Sequence, residues 1–564
     1  MCAMSAARAE PGLTRALDDA CSGTARKALC WALLALVWFA PLGYRALLTP
    51  DEGRYATIAL GMMNSGDWIT PRLNGFLYFE KPPLQYWMGA LGFHLLGVND
   101  FAARLWPGLT GFLTVAAVAY TARRLWGQAA GANAAMVAAG TAWIIVNSHF
   151  LSLDMGLTFF LTLALCGFLV AQRDGADDDE RRRAMWITWA AMAGATLSKG
   201  LVGLLIPGAT LVLYSLLNRQ WAFWRRMHWG TGLALYVALA APWFVAVSLR
   251  NPGFFDFFFI REHFQRYLTD DAQRLGAPWY FVPFLLAGFM PWTTMLPALA
   301  RLGARRDDSQ TFQPLRLLLA WSVFVFVFFS LSRSKLPSYI LPMFPALALL
   351  AGAWLERVDA SRLARHLLLP VAGCVAVIAA APFADRFATH DTPAEILRPM
   401  ALLMAIGAAL FVAAAAWAWH ALHHGRKNAA TLIVSAASLV AVTLGMSGHD
   451  SHGSLKSSEQ AVEALASELG PADPVFSVAM YDQTLPYYLR RDVTLVAWSG
   501  ELAFGQQRDP QRWIHTVGEF EARWRALSRG AAMMPRPLYL QLRGSGLPMR
   551  VVHEDPRRVV VVRS

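Results

Sequence analysis

Cysteine is scarce in this chain. There are five in 564 residues, Cys2, Cys21, Cys30, Cys166 and Cys374, and none follows the last apolar run. The tail beyond that run therefore has no structural disulfide, and with no CxxC motif a zinc ribbon or a thioredoxin-like redox pair is excluded. Charge is also sparse, at 16% of residues, and the formal excess of +12 does not gather on one basic face. The arginines come instead as short clusters between apolar runs, so no nucleic-acid partner is expected. Neither an internal repeat of 20 to 50 residues nor a low-complexity segment is present, and the lack of a repeat argues against a transporter of paired spans.

What the chain has in quantity is apolar sequence. Hydrophobic residues make up 56%, with 22 Trp and 33 Phe, against roughly 45–50% in soluble proteins. Thirteen runs have about the length of a membrane span: 28–48, 101–122, 129–147, 150–171, 184–199, 201–217, 230–249, 280–300, 315–332, 336–354, 367–385, 398–421 and 429–447. Alternate connections hold Arg123-Arg124, Arg181-Arg182-Arg183, Arg219 with Arg225-Arg226, Arg301 with Arg305-Arg306, Arg362 with Arg365, and Arg426-Lys427. The positive-inside rule assigns these to the cytoplasm, together with residues 1–27. The run 82–98 must then not cross, and reads as a short interfacial or re-entrant helix covered by protein. The expected class is a mostly α, polytopic membrane helical bundle of about thirteen spans, residues 28–447, with outer loops at 49–100 and 250–279. A soluble α/β domain at 448–564 follows on the outer side, with helices at 455–469 and 513–527 and strands at 475–480, 493–498, 537–542 and 559–562.

Arginine alone sorts the loops, yet the reactive side chains all fall on the opposite face. The stretch 49–86 carries Asp51-Glu52 and Glu80-Lys81, charges placed where membrane meets water and then covered by more hydrophobic chain. Thr49-Pro50-Asp51-Glu52 reads as a helix start, with Thr49 at N-cap and Glu52 completing a capping box. Asp51 is not the box residue and is the stronger catalytic candidate; Arg54 and Tyr55 lie within its reach on one helical face. In Tyr78-Phe79-Glu80-Lys81-Pro82-Pro83 the double proline holds Lys81 in an extended approach, which suits a ligand for a lipid phosphate. Asp154 opens one helix and Lys199 closes another, so each is satisfied either by a helix dipole or by chemistry. The loop 251–279 mixes six phenylalanines with Arg261, His263, Arg266 and Arg274, as a helix lying in the headgroup plane would. Arg266 is a second phosphate ligand, since guanidinium offers two donors to phosphate oxygens. Glu80 and His263 could hold a divalent cation such as zinc, but two ligands fall short of a zinc site, and no cofactor is required. Ser334-Lys335-Leu336-Pro337-Ser338-Tyr339 adds an outer cation and a phenol.

These motifs resemble the GT-C superfamily of polytopic glycosyltransferases, and within it the lipid A 4-amino-4-deoxy-L-arabinose transferases, relatives of the protein O-mannosyltransferases. The matching residues are Asp51-Glu52-Gly53-Arg54-Tyr55, Phe79-Glu80-Lys81-Pro82-Pro83-Leu84-Gln85-Tyr86-Trp87, Leu153-Asp154, Ser198-Lys199-Gly200 and the stretch from Ser334 to Tyr339. The resemblance implies an undecaprenyl phosphate-linked aminoarabinose donor, a lipid A phosphate as acceptor, and inverting transfer at the periplasmic face of a bacterial inner membrane. It also implies resistance to cationic antimicrobial peptides through reduced lipid A charge. The site set expected on these grounds is Asp51, Asp154 and Lys199 for catalysis, with Arg54, Tyr55, Tyr78, Glu80, Lys81, Arg266, Lys335 and Tyr339 for substrate. The alternatives are a polyprenyl-phosphate-sugar transferase acting on a protein or polysaccharide hydroxyl and, from another class, a lipid transporter.

Overall fold

The computed structural model describes residues 24–265, 276–389 and 392–563. Each of the thirteen apolar runs falls on helix. Among the described residues, eight helices are long and apolar enough to cross a membrane, or ten when each of two bent pairs is taken as one span. The pairs are Gln128–Gly140 with Ala142–Ser148, bent by 61°, and Phe281–Gly288 with Thr293–Ala304, bent by 109°. The count of about thirteen exceeds this. Lys27–Gly43 and Val202–Asn218 are shorter apolar helices, and Asp178–Lys199 carries six charged residues in its first six positions. Hydropathy counts apolar runs and does not see where a helix breaks or how its ends are charged.

Leu153–Gln172 and Pro337–Arg357 are the most buried spans of the bundle, each with 83% of its most apolar window inside, whereas only 17% of that of Ala360–Phe387 is covered. A helix apolar on all sides and left uncovered is what a lipid-facing span requires. The run 82–98 is the 13-residue helix Leu84–Leu96, which starts directly after Pro83. It packs against Asp51–Ser65 and Asp100–Trp126.

Between Asp51–Ser65 and Leu84–Leu96 the chain forms a small hairpin, β1 (Arg72–Leu73) and β2 (Phe76–Leu77). Asn74 and Gly75 make its turn with φ of 51° and 78°, the backbone that an Asn-Gly pair favours between antiparallel strands. Asn74 also exchanges two hydrogen bonds of 2.8 Å with the backbone of Val493. The hairpin is thus tied to the C-terminal part of the chain.

That part holds a five-stranded mixed sheet of β3 (Val475–Val478), β4 (Thr494–Val496), β5 (Ala531–Met534), β6 (Arg550–Glu554) and β7 (Val559–Val562), in the order β4-β3-β5-β7-β6. β3 runs parallel to β4 and β5, and β7 runs antiparallel to β5 and β6. The strand expected at 537–542 is instead the helix Arg536–Gly544, which follows Pro535 at its N-cap and has Pro537 in its first turn. Prolines there favour a helix start, and Tyr539 and Leu542 form its buried face. Strands β5 and β6 were not expected, since the short Ala-Ala-Met-Met and Arg-Val-Val-His-Glu segments show no clean alternation.

One buried apolar cluster joins the two parts, with Tyr55, Ile58 and Phe76 packing in the same core as Leu485, Tyr487 and Leu502. Tyr487 and Tyr488 also hydrogen-bond the Asp100 carboxylate at 3.2 and 3.0 Å. The sheet-bearing part therefore sits on the segment that carries Asp51.

Candidate functional site

The helix Asp51–Ser65 begins with both acidic residues in its first turn and stops at Gly66, whose φ of 68° suits glycine at a helix end. The capping box is not formed. Pro50 occupies the N-cap, Asp51 and Glu52 are the first two helical residues, and the Thr49 hydroxyl turns away to Gln483. Glu52 is fully buried and receives Arg104 Nε at 2.7 Å and Nη2 at 2.9 Å, with the Leu48 and Leu151 N–H groups completing its shell. Arg104 also donates to the Leu42, Arg45 and Ala46 carbonyls. A buried carboxylate persists only when paired in this way, so Glu52 secures the two loops that present Asp51 and Asp154.

Asp51 stays partly open and accepts from Arg54 Nη1 at 2.7 Å. The other terminal nitrogen of Arg54 reaches Glu501, also at 2.7 Å, and Gln483 Nε2 donates to Glu501 at 2.7 Å. Burial outweighs the attraction of Arg54 and the Gln483 hydrogen bond, and with Glu80 nearby the Glu501 carboxyl is held above its ordinary range.

Asp154 lies in the first turn of Leu153–Gln172, with Ser152 as N-cap, and Lys199 is the last residue of Asp178–Lys199. The two ends meet. Lys199 pairs with one Asp154 oxygen, Ser338 donates to the other at 2.6 Å, and the ammonium lies 4.4 Å from the Tyr339 ring centroid.

Asp51, Arg54, Tyr55, Glu80, Lys81, Asp154, Lys199 and Tyr339 line a single cavity of about 280 Å³, with Trp143, Asn147, Phe150 and Ser338 on the remaining wall. Its lining combines carboxylates, ammonium groups and aromatic rings, a suitable set for a sugar phosphate and the start of a lipid chain. Tyr78 is buried and is not among the residues that line the cavity. Lys335 is not in the cavity: its ammonium donates to the Ser330 and Ser332 carbonyls at 2.6 and 2.7 Å, where the preceding helix ends. A cation satisfies orphan carbonyls at a helix C-terminus, and that accounts for the absence of Lys335 from the cavity lining. Arg266 and the side chain of His263 lie outside the described residues. Among the described residues no group of three or more His, Cys, Asp or Glu is placed to hold a metal.

Gln483 and Glu501 could not be foreseen from sequence. They lie more than 400 positions from Asp51 in a segment of ordinary polar composition, and only the fold brings them to it.

Two family models match the chain: the aminoarabinose transferase C-terminal domain over residues 461–563, and dolichyl-phosphate-mannose-protein mannosyltransferase over residues 28–258. An undecaprenyl phosphate-α-4-amino-4-deoxy-L-arabinose arabinosyl transferase of Pseudomonas aeruginosa (strain UCBPP-PA14) is 32% identical over 522 residues, covering 89% of this chain and 91% of its own. The match to the protein of that name from Edwardsiella ictaluri, 34% identical, spans 58% of each chain. Among solved structures, ArnT from Cupriavidus metallidurans bound to undecaprenyl phosphate superposes with a TM-score of 0.90 at 36% identity, covering 96% of this chain and 99% of that one. Its apo form gives 0.89.

Proposed function

The chain belongs to the undecaprenyl phosphate-α-4-amino-4-deoxy-L-arabinose arabinosyl transferase family, and from that premise we propose that it moves 4-amino-4-deoxy-L-arabinose from undecaprenyl phosphate to a phosphate of lipid A. The observation that carries this reading is the cavity itself. It holds Asp51, Glu80, Lys81, Asp154 and Lys199 together, in a fold closely similar to one that has been crystallised with undecaprenyl phosphate.

An oxygen of the acceptor phosphate attacks the anomeric carbon as the bond from that carbon to the undecaprenyl phosphate oxygen breaks, inverting the sugar and releasing undecaprenyl phosphate. Lys81, with Arg266, holds the departing phosphate, and fixed cations in a water-poor cavity stabilise the charge that grows on it. Lys199, oriented by Asp154, assists there or holds the acceptor. A phosphate acceptor is already an anion and needs little general-base help. Asp51 therefore orients the acceptor or binds the sugar's ammonium and stabilises oxocarbenium-like charge.

The arrangement in the cell belongs to the same reading: a multi-pass protein of the bacterial inner membrane with thirteen crossings, residues 1–27 in the cytoplasm, and the cavity and residues 448–564 in the periplasm. Masking phosphate charge on lipid A would lower its attraction for cationic peptides. The deciding experiment is transfer in vitro. Purified protein, synthetic undecaprenyl-phosphate aminoarabinose and lipid A should yield lipid A heavier by one aminoarabinose, detected by mass spectrometry. Unmodified lipid A alongside a glycosylated protein or polysaccharide hydroxyl would overturn the acceptor assignment.

A further inference from the structure

A closed circuit of polar contacts leaves the start of the Asp51 helix and returns to it through the C-terminal part of the chain. It runs from the Thr49 hydroxyl to Gln483 Oε1, from Gln483 Nε2 to Glu501 at 2.7 Å, from Glu501 to Arg54 at 2.7 Å, and from Arg54 to Asp51 at 2.7 Å. The Gln483 carbonyl also accepts from the Thr57 hydroxyl at 2.9 Å, one turn further along the same helix. Gly53 permits this approach. A Cβ there would lie 2.5 Å from the Thr484 nitrogen and 2.6 Å from the Gln483 carbonyl carbon, both backbone atoms that cannot move aside alone.

The far side of the circuit is anchored as well. Asp482, the neighbour of Gln483, is fully buried and paired with the fully buried Arg558, near the end of the chain. Asp482 accepts from Thr484 as well, through the backbone N–H at 2.9 Å and the hydroxyl at 2.6 Å. The loop 482–484 is therefore held on one side by the sheet-bearing part and pressed on the other against the helix that presents Asp51. Charge and hydrogen bonding converge on Arg54, whose two terminal nitrogens are divided between Asp51 and Glu501.

We propose that Gln483 and Glu501 are positioning residues for the transfer reaction: through Arg54 they set the place of the Asp51 carboxylate, with Gly53 as the contact that admits them. The C-terminal part is on this view a working component of the active site. The inference rests on the transfer reading above, and neither residue is asked to touch substrate. Displacing a catalytic group by about 1 Å can cost on the order of 100-fold in rate. Because the two residues act through one guanidinium, their effects should not add.

The test uses full-length protein in the lipid A transfer assay, with Gln483→Ala, Glu501→Ala, Glu501→Gln, Gly53→Ala and the Gln483→Ala/Glu501→Ala double variant. Binding of undecaprenyl phosphate and the thermal transition are followed in parallel. Both alanine variants at 483 and 501 should lose about 100-fold in kcat while undecaprenyl phosphate affinity stays within twofold. The double variant should be no slower than the worse single one, and Glu501→Gln, which keeps an acceptor for Arg54, should recover part of the rate. Gly53→Ala should reproduce the loss with both side chains intact. Wild-type kcat in Gln483→Ala and Glu501→Ala overturns the inference, as does a loss of rate matched by loss of undecaprenyl phosphate binding or of the folded state, or additive losses in the double variant. If the wild-type protein itself transfers nothing to lipid A, it is the functional reading that fails.

Discussion

The Lys199 ammonium lies 4.4 Å from the centroid of the Tyr339 ring and is paired at the same time with Asp154. The carboxylate and the ring together fix where the ammonium stands in the cavity. A cation over an aromatic face is worth about 0.5–2 kcal/mol, so Tyr339→Leu should slow transfer by roughly 2- to 30-fold. Tyr339→Phe, which keeps the ring, should recover most of the rate. Equal rates in Tyr339→Leu and wild type would remove the ring from the account.

Asp51 and Lys81 are separable by kinetics. Asp51→Asn should lower kcat by about 100-fold or more with donor KM little changed, as when an interaction made only in the transition state is lost. Lys81→Ala should raise donor KM about 10- to 100-fold, in line with roughly 1.5–3 kcal/mol for a hydrogen bond from a charged donor. Steady-state kinetics with synthetic donor distinguishes the two, and unchanged donor affinity in Lys81→Ala would discard its phosphate role.

The Glu52 and Arg104 pair makes a prediction about stability. Both side chains are essentially inaccessible, so Arg104→Ala leaves a buried carboxylate without its partner at a cost of about 3–5 kcal/mol. Thermal unfolding in detergent should register a marked drop. The Glu52→Leu/Arg104→Leu double replacement, which removes both charges, should unfold later than Arg104→Ala.

Acid should loosen the C-terminal sheet through Asp555. Burial pushes its carboxyl up, but the nearby His553 ring, the Arg558 guanidinium at 2.7 Å and the Arg557 and Arg558 N–H groups outweigh it and hold the group below its ordinary value of 3.8. An acid depressed in the folded state contributes stability that is complete above its unfolded pKa and is lost as pH falls through the folded one. The unfolding midpoint should therefore drop below about pH 4, and Asp555→Asn should flatten that part of the profile. A variant profile parallel to wild type would contradict this.

Much of the site could be read from the chain. Asp51 with Arg54 is an i, i+3 pair on one helix, and its 2.7 Å contact needs only helical geometry. Lys81 follows from the two prolines beside it. The family, too, was visible in Asp51-Glu52-Gly53-Arg54-Tyr55 and Glu80-Lys81-Pro82-Pro83, and the similarity over 89% of the chain agrees with it. Glu52 was misread because a capping box and a buried ion pair look alike in sequence. They differ only in whether a distant arginine arrives, and Arg104 lies 52 positions away. Lys335 shows a similar ambiguity, since a lysine beside a helix end can turn to the carbonyls or to a ligand, and here its ammonium donates to the Ser330 and Ser332 carbonyls.

By itself the sequence determined the local and the periodic: which runs become helix and which charges stand at helix ends. These depend on neighbours within a few residues and on the partition of apolar chain between water and lipid. Only the tertiary structure decided that Lys199 meets Asp154, that Arg104 neutralises Glu52, and that Glu501, held by Gln483, closes on Arg54. Those contacts join positions 45 to more than 400 residues apart, and no local preference for helix, strand or bilayer encodes which partner is brought within hydrogen-bonding distance.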